Sequence, residues 1–229
     1  PPASVAAVRD LAFRYERHRT ATDEVLRRLP IAVAPGEYRS NLASLAERDD
    51  YDRLAAPATR EAFLRGRDCH GVAHKVLEPA DGTNGGAEMS GVDGADGTDG
   101  TNETAETDGT AGRDDAAPPT PTVVSPGAPP PQGVWEPQRV RAVAVAKALA
   151  WERERGIPLA LVEYPAHGVV RTVRLTTRNR SAYRRTLWTV RSMRGVPSRI
   201  RDESKCDACD YRTTCGTKTR SLKTLLGLG

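Results

Sequence analysis

Large aromatic side chains are scarce in this 229-residue chain: Phe, Trp and Tyr together make up 5% of it, with only two Phe and three Trp. A core must therefore be built mainly from aliphatic side chains and alanine, and a hydrophobic content of 38% excludes one that spans every residue. No run approaches the ~20 apolar residues of a transmembrane helix. The opening PPASVAAVRDLAF also lacks the apolar segment of a signal peptide. These absences set the expectation of a cytoplasmic protein with no membrane partner. Cysteine is sparse too, four in all, which excludes a disulfide-dense scaffold. Yet three of the four fall within KCDACDYRTTCG, residues 205–216.

Charge is present in quantity and unevenly placed. The net +4 conceals a tract, residues 81–117, with ten acids and one base, a net of −9. From Gln132 onward twenty Lys and Arg face eight acids, a net of +12. A basic C-terminal part joined to an acidic tract points to a polyanion-binding surface, nucleic acid first among the candidates.

Three segments separate on composition. Residues 1–78 read as helical: SVAAVRDLAFRYERHR sets Val5, Val8, Leu11 or Ala12, and Tyr15 at helical spacing. TREAFLRGRDCHGVAHKVLE predicts a second helix capped by Thr59, while PIAVAPGEY suggests a short strand and turn. Residues 79–131 combine Asp-Gly-Thr units with a proline-rich end and predict a disordered acidic linker. Residues 132–229 regain order. EPQRVRAVAVAKALAWERER predicts a helix, LALVEYP and VVRTVRL a hairpin across PAHG, and RNRSAYRRTLWTVRSMRG a basic helix. On that last helix Tyr183, Leu187 and Val190 share one face, and Arg180, Arg184 and Arg191 form a stripe on another. The stripe is the candidate nucleic-acid contact, with single-stranded DNA or DNA ends as partner.

Cys206, Cys209 and Cys215 are spaced C-x2-C-x5-C, which lets thiolates converge on one metal centre. The fourth ligand decides the metal. Cys69 would complete an all-thiolate site suited to a four-iron, four-sulfur (4Fe-4S) cluster. His70, His74 or His167 would complete a Cys3His site suited to zinc.

KCDACDYRTTCG, with Tyr211 two residues after the second cysteine, resembles the C-terminal cluster motif of the CRISPR-associated RecB-like exonucleases. The similarity runs upstream from ALAWERERG through the Gly195-Val-Pro197 approach to the cysteines, over roughly the last hundred residues. FLRGRDCHGVAHKVLE is similar to the family's first nuclease motif, which equates Gly66 and His70 with its glycine and histidine. The resemblance implies an α/β restriction-endonuclease-like (RecB-type) domain, a 4Fe-4S cluster, and a Mg- or Mn-dependent exonuclease acting on DNA ends beside CRISPR adaptation proteins. His70 is then a candidate catalytic residue, and Cys69, Cys206, Cys209 and Cys215 are candidate cluster ligands. The chain departs from that pattern where the chemistry should be. The family's metal-binding Asp and following Glu-x-Lys are not recognisable; TVVSPG is the expected remnant of the Glu-x-Lys strand, and aligning its glycine puts Val123 and Ser125 at the Glu and Lys positions. The family's N-terminal cluster cysteine is missing from DLAFRYERHR, and its helical glutamine is not matched, since Gln138 falls early and Val143 stands nearer its place. The expectation is therefore a degenerate nuclease core with a disordered acidic insertion, binding DNA with catalysis weakened or lost. The alternative is a non-catalytic zinc-stabilised nucleic-acid-binding module.

Overall fold

The structure, a computed structural model, describes residues 5–79, 117–195 and 206. Five short helices open the chain: α1 (Val5–Phe13), α2 (Tyr15–Thr20), α3 (Asp23–Leu26), α4 (Pro35–Ala46) and α5 (Tyr51–Ala55). Leu11, Ala12 and Tyr15 turn inward at helical spacing. PIAVAPGEY is not a strand and turn. It delivers Pro35 to the first turn of α4, where a fixed φ suits a helix and a missing N–H costs nothing.

TREAFLRGRDCHGVAHKVLE is not a helix either. It folds as an antiparallel hairpin of β1 (Thr59–Arg65) and β2 (His70–Leu77), so residues 1–78 are only partly helical. Gly66 donates its N–H to the Cys69 carbonyl at 3.0 Å and closes the turn. A Cβ there would lie 2.6 Å from that oxygen and 3.0 Å from the Cα of Ala148, so only glycine fits. The linker assigned to 79–131 also needs correction at its end. Thr120–Val124 forms β3, the middle strand of a five-stranded sheet ordered β1-β2-β3-β4-β5. Residues 80–116 of that linker lie outside the described residues.

From β3 the chain crosses through α6 (Glu136–Glu152) to β4 (Leu159–Tyr164), which runs parallel to β3. The other neighbouring pairs are antiparallel. β5 (Val169–Arg174) returns after a 3₁₀ turn, Pro165–His167, with Gly168 at φ +62°. Thr176 then caps α7 (Thr177–Ser192) by accepting the Asn179 N–H. No helix among the described residues is long and apolar enough to cross a membrane.

Consecutive strand residues point to opposite faces, and both faces are covered. Val76, Val123 and Val162 pack with Val143, Val145 and Leu149 of α6 and Tyr183 of α7. Leu77, Val124 and Leu161 pack with Leu11, Tyr15, Tyr38, Leu42 and Leu45 of the opening helices. Each large aliphatic side chain buried this way contributes about 1.5–3 kcal/mol. The chain is thus a mixed α/β fold with helices on both faces of its sheet.

Inside the second layer lies an ion pair. Lys75 Nζ sits 2.6 Å from Glu163 Oε2, and both side chains are fully buried. Tyr15 and Thr122 donate hydroxyls to the two oxygens of Glu163, and Lys75 also donates to Tyr15 Oη at 3.1 Å. The cluster ties β2, β3, β4 and α2 together, and each charge has partners that offset its desolvation. Burial lowers the Lys75 pKa, with Glu163 opposing the shift.

Candidate functional site

The β2–β3 ladder spans only Leu77–Thr120, Val76–Pro121 and Lys75–Thr122, after which the two strands part. His74 occupies the gap. Its Nδ1 accepts the Val124 N–H at 2.9 Å, which leaves the proton of the neutral ring on Nε2. Desolvation, with smaller contributions from Arg141 and Lys75, depresses the His74 pKa to about 4. Beyond β3, Ser125 stays tied to β4 through its N–H to the Glu163 carbonyl, at 2.8 Å. Its Oγ lies 3.4 Å from Gln138 Nε2 on the first turn of α6. Gln138 thus reaches Ser125 from the start of α6.

The parting of β2 and β3 is where Val123 and Ser125 place their side chains toward α6, with His74 beside them and Arg141 above, bonded to the Val72 carbonyl. The carboxylate that acts on His74 is Glu61, on β1 in a left-handed conformation at φ +49°. Arg9 engages both Glu61 oxygens, at 2.8 and 2.7 Å. A divalent magnesium or manganese ion needs several oxygen ligands, carboxylates chief among them. Here the imidazole nitrogen already accepts a hydrogen bond, Val123 offers no donor, and the one acid is held by an arginine. The residues do not fit the metal.

His70 stands elsewhere. It is the first residue of β2, paired with Arg65 and exposed, its ring 6.0 Å from that of Phe63. It lies four residues along the strand from His74, roughly 13 Å away. The structure therefore puts His70 on a strand rather than a helix and does not bring it to Val123 and Ser125. His74, a candidate zinc ligand on sequence, is the histidine at the strand divergence. His167 belongs to the 3₁₀ turn between β4 and β5.

Cys69, on the β1–β2 turn, is half-buried with Sγ 3.3 Å from Tyr183 Oη. Burial and the adjoining Cys69 push the Tyr183 hydroxyl pKa well up. Cys206 is half-buried, and Cys209 and Cys215 lie outside the described residues. Among the described residues no three His, Cys, Asp or Glu side chains gather closely enough to share a metal ion.

On α7, Arg180, Arg184 and Arg191 are all exposed. Arg191 donates to the Asp68 carbonyl at 2.7 Å, so the C-terminal part of α7 is moored to the β1–β2 turn. Tyr183 is buried and Leu187 half-buried, but Val190 is 55% exposed and does not continue the apolar face. The arginines border that face rather than oppose it: Arg180 and Tyr183 line the same cavity. Trp188, which no sequence pattern singles out, is 71% exposed. It lies four residues after Arg184 and three before Arg191, so all three project from one side of the helix.

Comparison with protein-family models and with curated proteins finds no match to this chain.

Proposed function

We propose that this protein binds single-stranded nucleic acid on a restriction-endonuclease-like scaffold that has lost its metal site. The observation that carries the reading is the exposed Arg184–Trp188–Arg191 array on α7, with Arg180 one turn earlier. Guanidinium groups meet successive phosphates while an unpaired base stacks on the indole, which needs no particular sequence. Support for the scaffold comes from strand order: an antiparallel β1-β2-β3 meander, a helical crossover and a parallel β4. Support for lost catalysis comes from His74, Val123 and Ser125 at the strand divergence. The cysteines of the C-terminal motif, Cys206, Cys209 and Cys215, are proposed to hold a 4Fe-4S cluster, on the strength of their spacing.

Fluorescence anisotropy with a labelled single strand tests the binding. Arg184→Glu and Trp188→Ala should each weaken affinity about tenfold, and log affinity should fall with log salt at roughly −0.7 per phosphate contacted. Unchanged affinity in both variants would overturn the reading. Incubation of the wild-type protein with manganese and single-stranded DNA should leave the strand intact. Degradation that disappears in His74→Ala would restore an enzyme.

A further inference from the structure

A cavity of about 960 Å³ opens between the β1–β2 turn, the C-terminal half of α6 and the start of α7. It lies away from the strand divergence, and its lining is chemically mixed. Arg67, Lys147, Arg155 and Arg180 contribute cations from four separate places, against one acid among the described residues, Asp68. Trp151, a residue 56% exposed, forms part of the wall, and so large an apolar ring favours a partner that covers it. Lys147 Nζ sits 5.8 Å over the Tyr183 ring, which steers the ammonium toward the cavity's α7 side.

We infer that this cavity is a binding site for a nucleotide unit, its phosphate held by Arg67, Lys147 and Arg180 and its base stacked on Trp151. Three cations from a turn and two helices line a single volume, and that arrangement suits a multiply charged anion. Guanidinium forks match phosphate oxygens in pairs, and the lysine adds a point charge. A phosphate alone would leave the indole uncovered, whereas a flat heterocycle covers it. The volume falls in the range of small-ligand sites, about 300–1,000 Å³. Two sources carry this chemistry, a free nucleotide and the phosphorylated end of a single strand. For the strand end, the inference deepens the nucleic-acid reading and rests on it.

Calorimetric titration of the full chain with deoxyadenosine monophosphate, deoxyadenosine and inorganic phosphate tests the site. The monophosphate should bind at least tenfold more tightly than either part. Trp151→Ala and Lys147→Ala should each weaken it about tenfold, and Lys147→Arg should retain it. Monophosphate binding no tighter than that of inorganic phosphate, or indifferent to both alanine variants, would overturn the inference. Oligonucleotides with a 5′-phosphate and a 5′-hydroxyl then separate the sources. Tighter binding of the phosphorylated strand, lost in Trp151→Ala, assigns the site to strand ends, and equal binding of both strands assigns it to the free nucleotide. Strand binding without monophosphate binding defeats this inference and leaves the nucleic-acid reading standing. Monophosphate binding without strand binding does the reverse.

Discussion

Burial holds His74 neutral in the folded chain, with a pKa near 4 against 6.5 for a free imidazole. The consequence for stability has a definite sign. Above about pH 6.5 the ring is neutral in both states and contributes no pH dependence. As pH falls from 6.5 toward 4 the unfolded chain takes up a proton that the folded chain refuses, so stability drops, by about 3 kcal/mol across the window. Below pH 4 both states are protonated and the loss is complete. His74→Gln keeps an acceptor for the Val124 N–H but cannot titrate. Urea unfolding at pH 7 and pH 4.5 should therefore show a smaller pH penalty for the variant than for the wild type, and equal penalties would refute the buried neutral ring. The Lys75–Glu163 pair gives a second test. Lys75→Ala strands a carboxylate in a dry interior and should cost about 3–5 kcal/mol in urea unfolding. Lys75→Met with Glu163→Leu removes both charges and should recover most of that loss.

At the scale of elements, α6, β4, β5 and α7 were legible because each carries local signals. Glu136-Pro137 opens α6, the short PAHG turn separates the apolar LALVEY from the β-branched VVRTVR, and Thr176 caps α7. The β1–β2 hairpin was not legible. Phe63, Leu64, Val72, Val76 and Leu77 suit a helix as well as strands, and β2 buries five consecutive residues instead of alternating. Composition concealed β3, since Pro118, Pro119 and Pro121 argue against a central strand, and only the family resemblance put a strand remnant at TVVSPG. Proline is tolerated because Pro121 is only the second residue of the strand. The candidate site inherited both gaps: His74 meets Val124 only through the β2–β3 register, which no short stretch of sequence contains. The cysteine spacing and the arginine row were legible because they are local. Gly66 makes this level testable. Its Cβ-free backbone lets the β1–β2 turn press on α6 at Ala148, so Gly66→Ala must move one or the other. The expected cost is about 2 kcal/mol in thermal or denaturant unfolding, and a variant as stable as wild type would disprove the close approach.

For the whole molecule the decisive feature is where the acidic segment enters and leaves. Leu77 and Thr120 are paired across β2 and β3, so the 42 residues between them start and finish side by side. The sheet therefore needs only a hairpin there. Deleting residues 81–117 leaves five connecting residues, within the ordinary length of a hairpin loop. The fold should survive, and closing a shorter loop should add about 2 kcal/mol of stability. The same deletion removes nine net negative charges from a molecule whose arginines, Trp188 and basic cavity are exposed. A tethered acidic tract competes intramolecularly for the cations that a strand would use, and that competition weakens as salt screens it. The deletion variant should bind a labelled single strand more tightly than the full chain, with the larger gain at 20 mM than at 200 mM salt. Two anisotropy titrations for each protein are enough to decide it. If the two proteins bind equally at low salt, the acidic segment does not compete for the basic surface. If the deletion variant fails to fold, the segment is more than an insertion between paired strands.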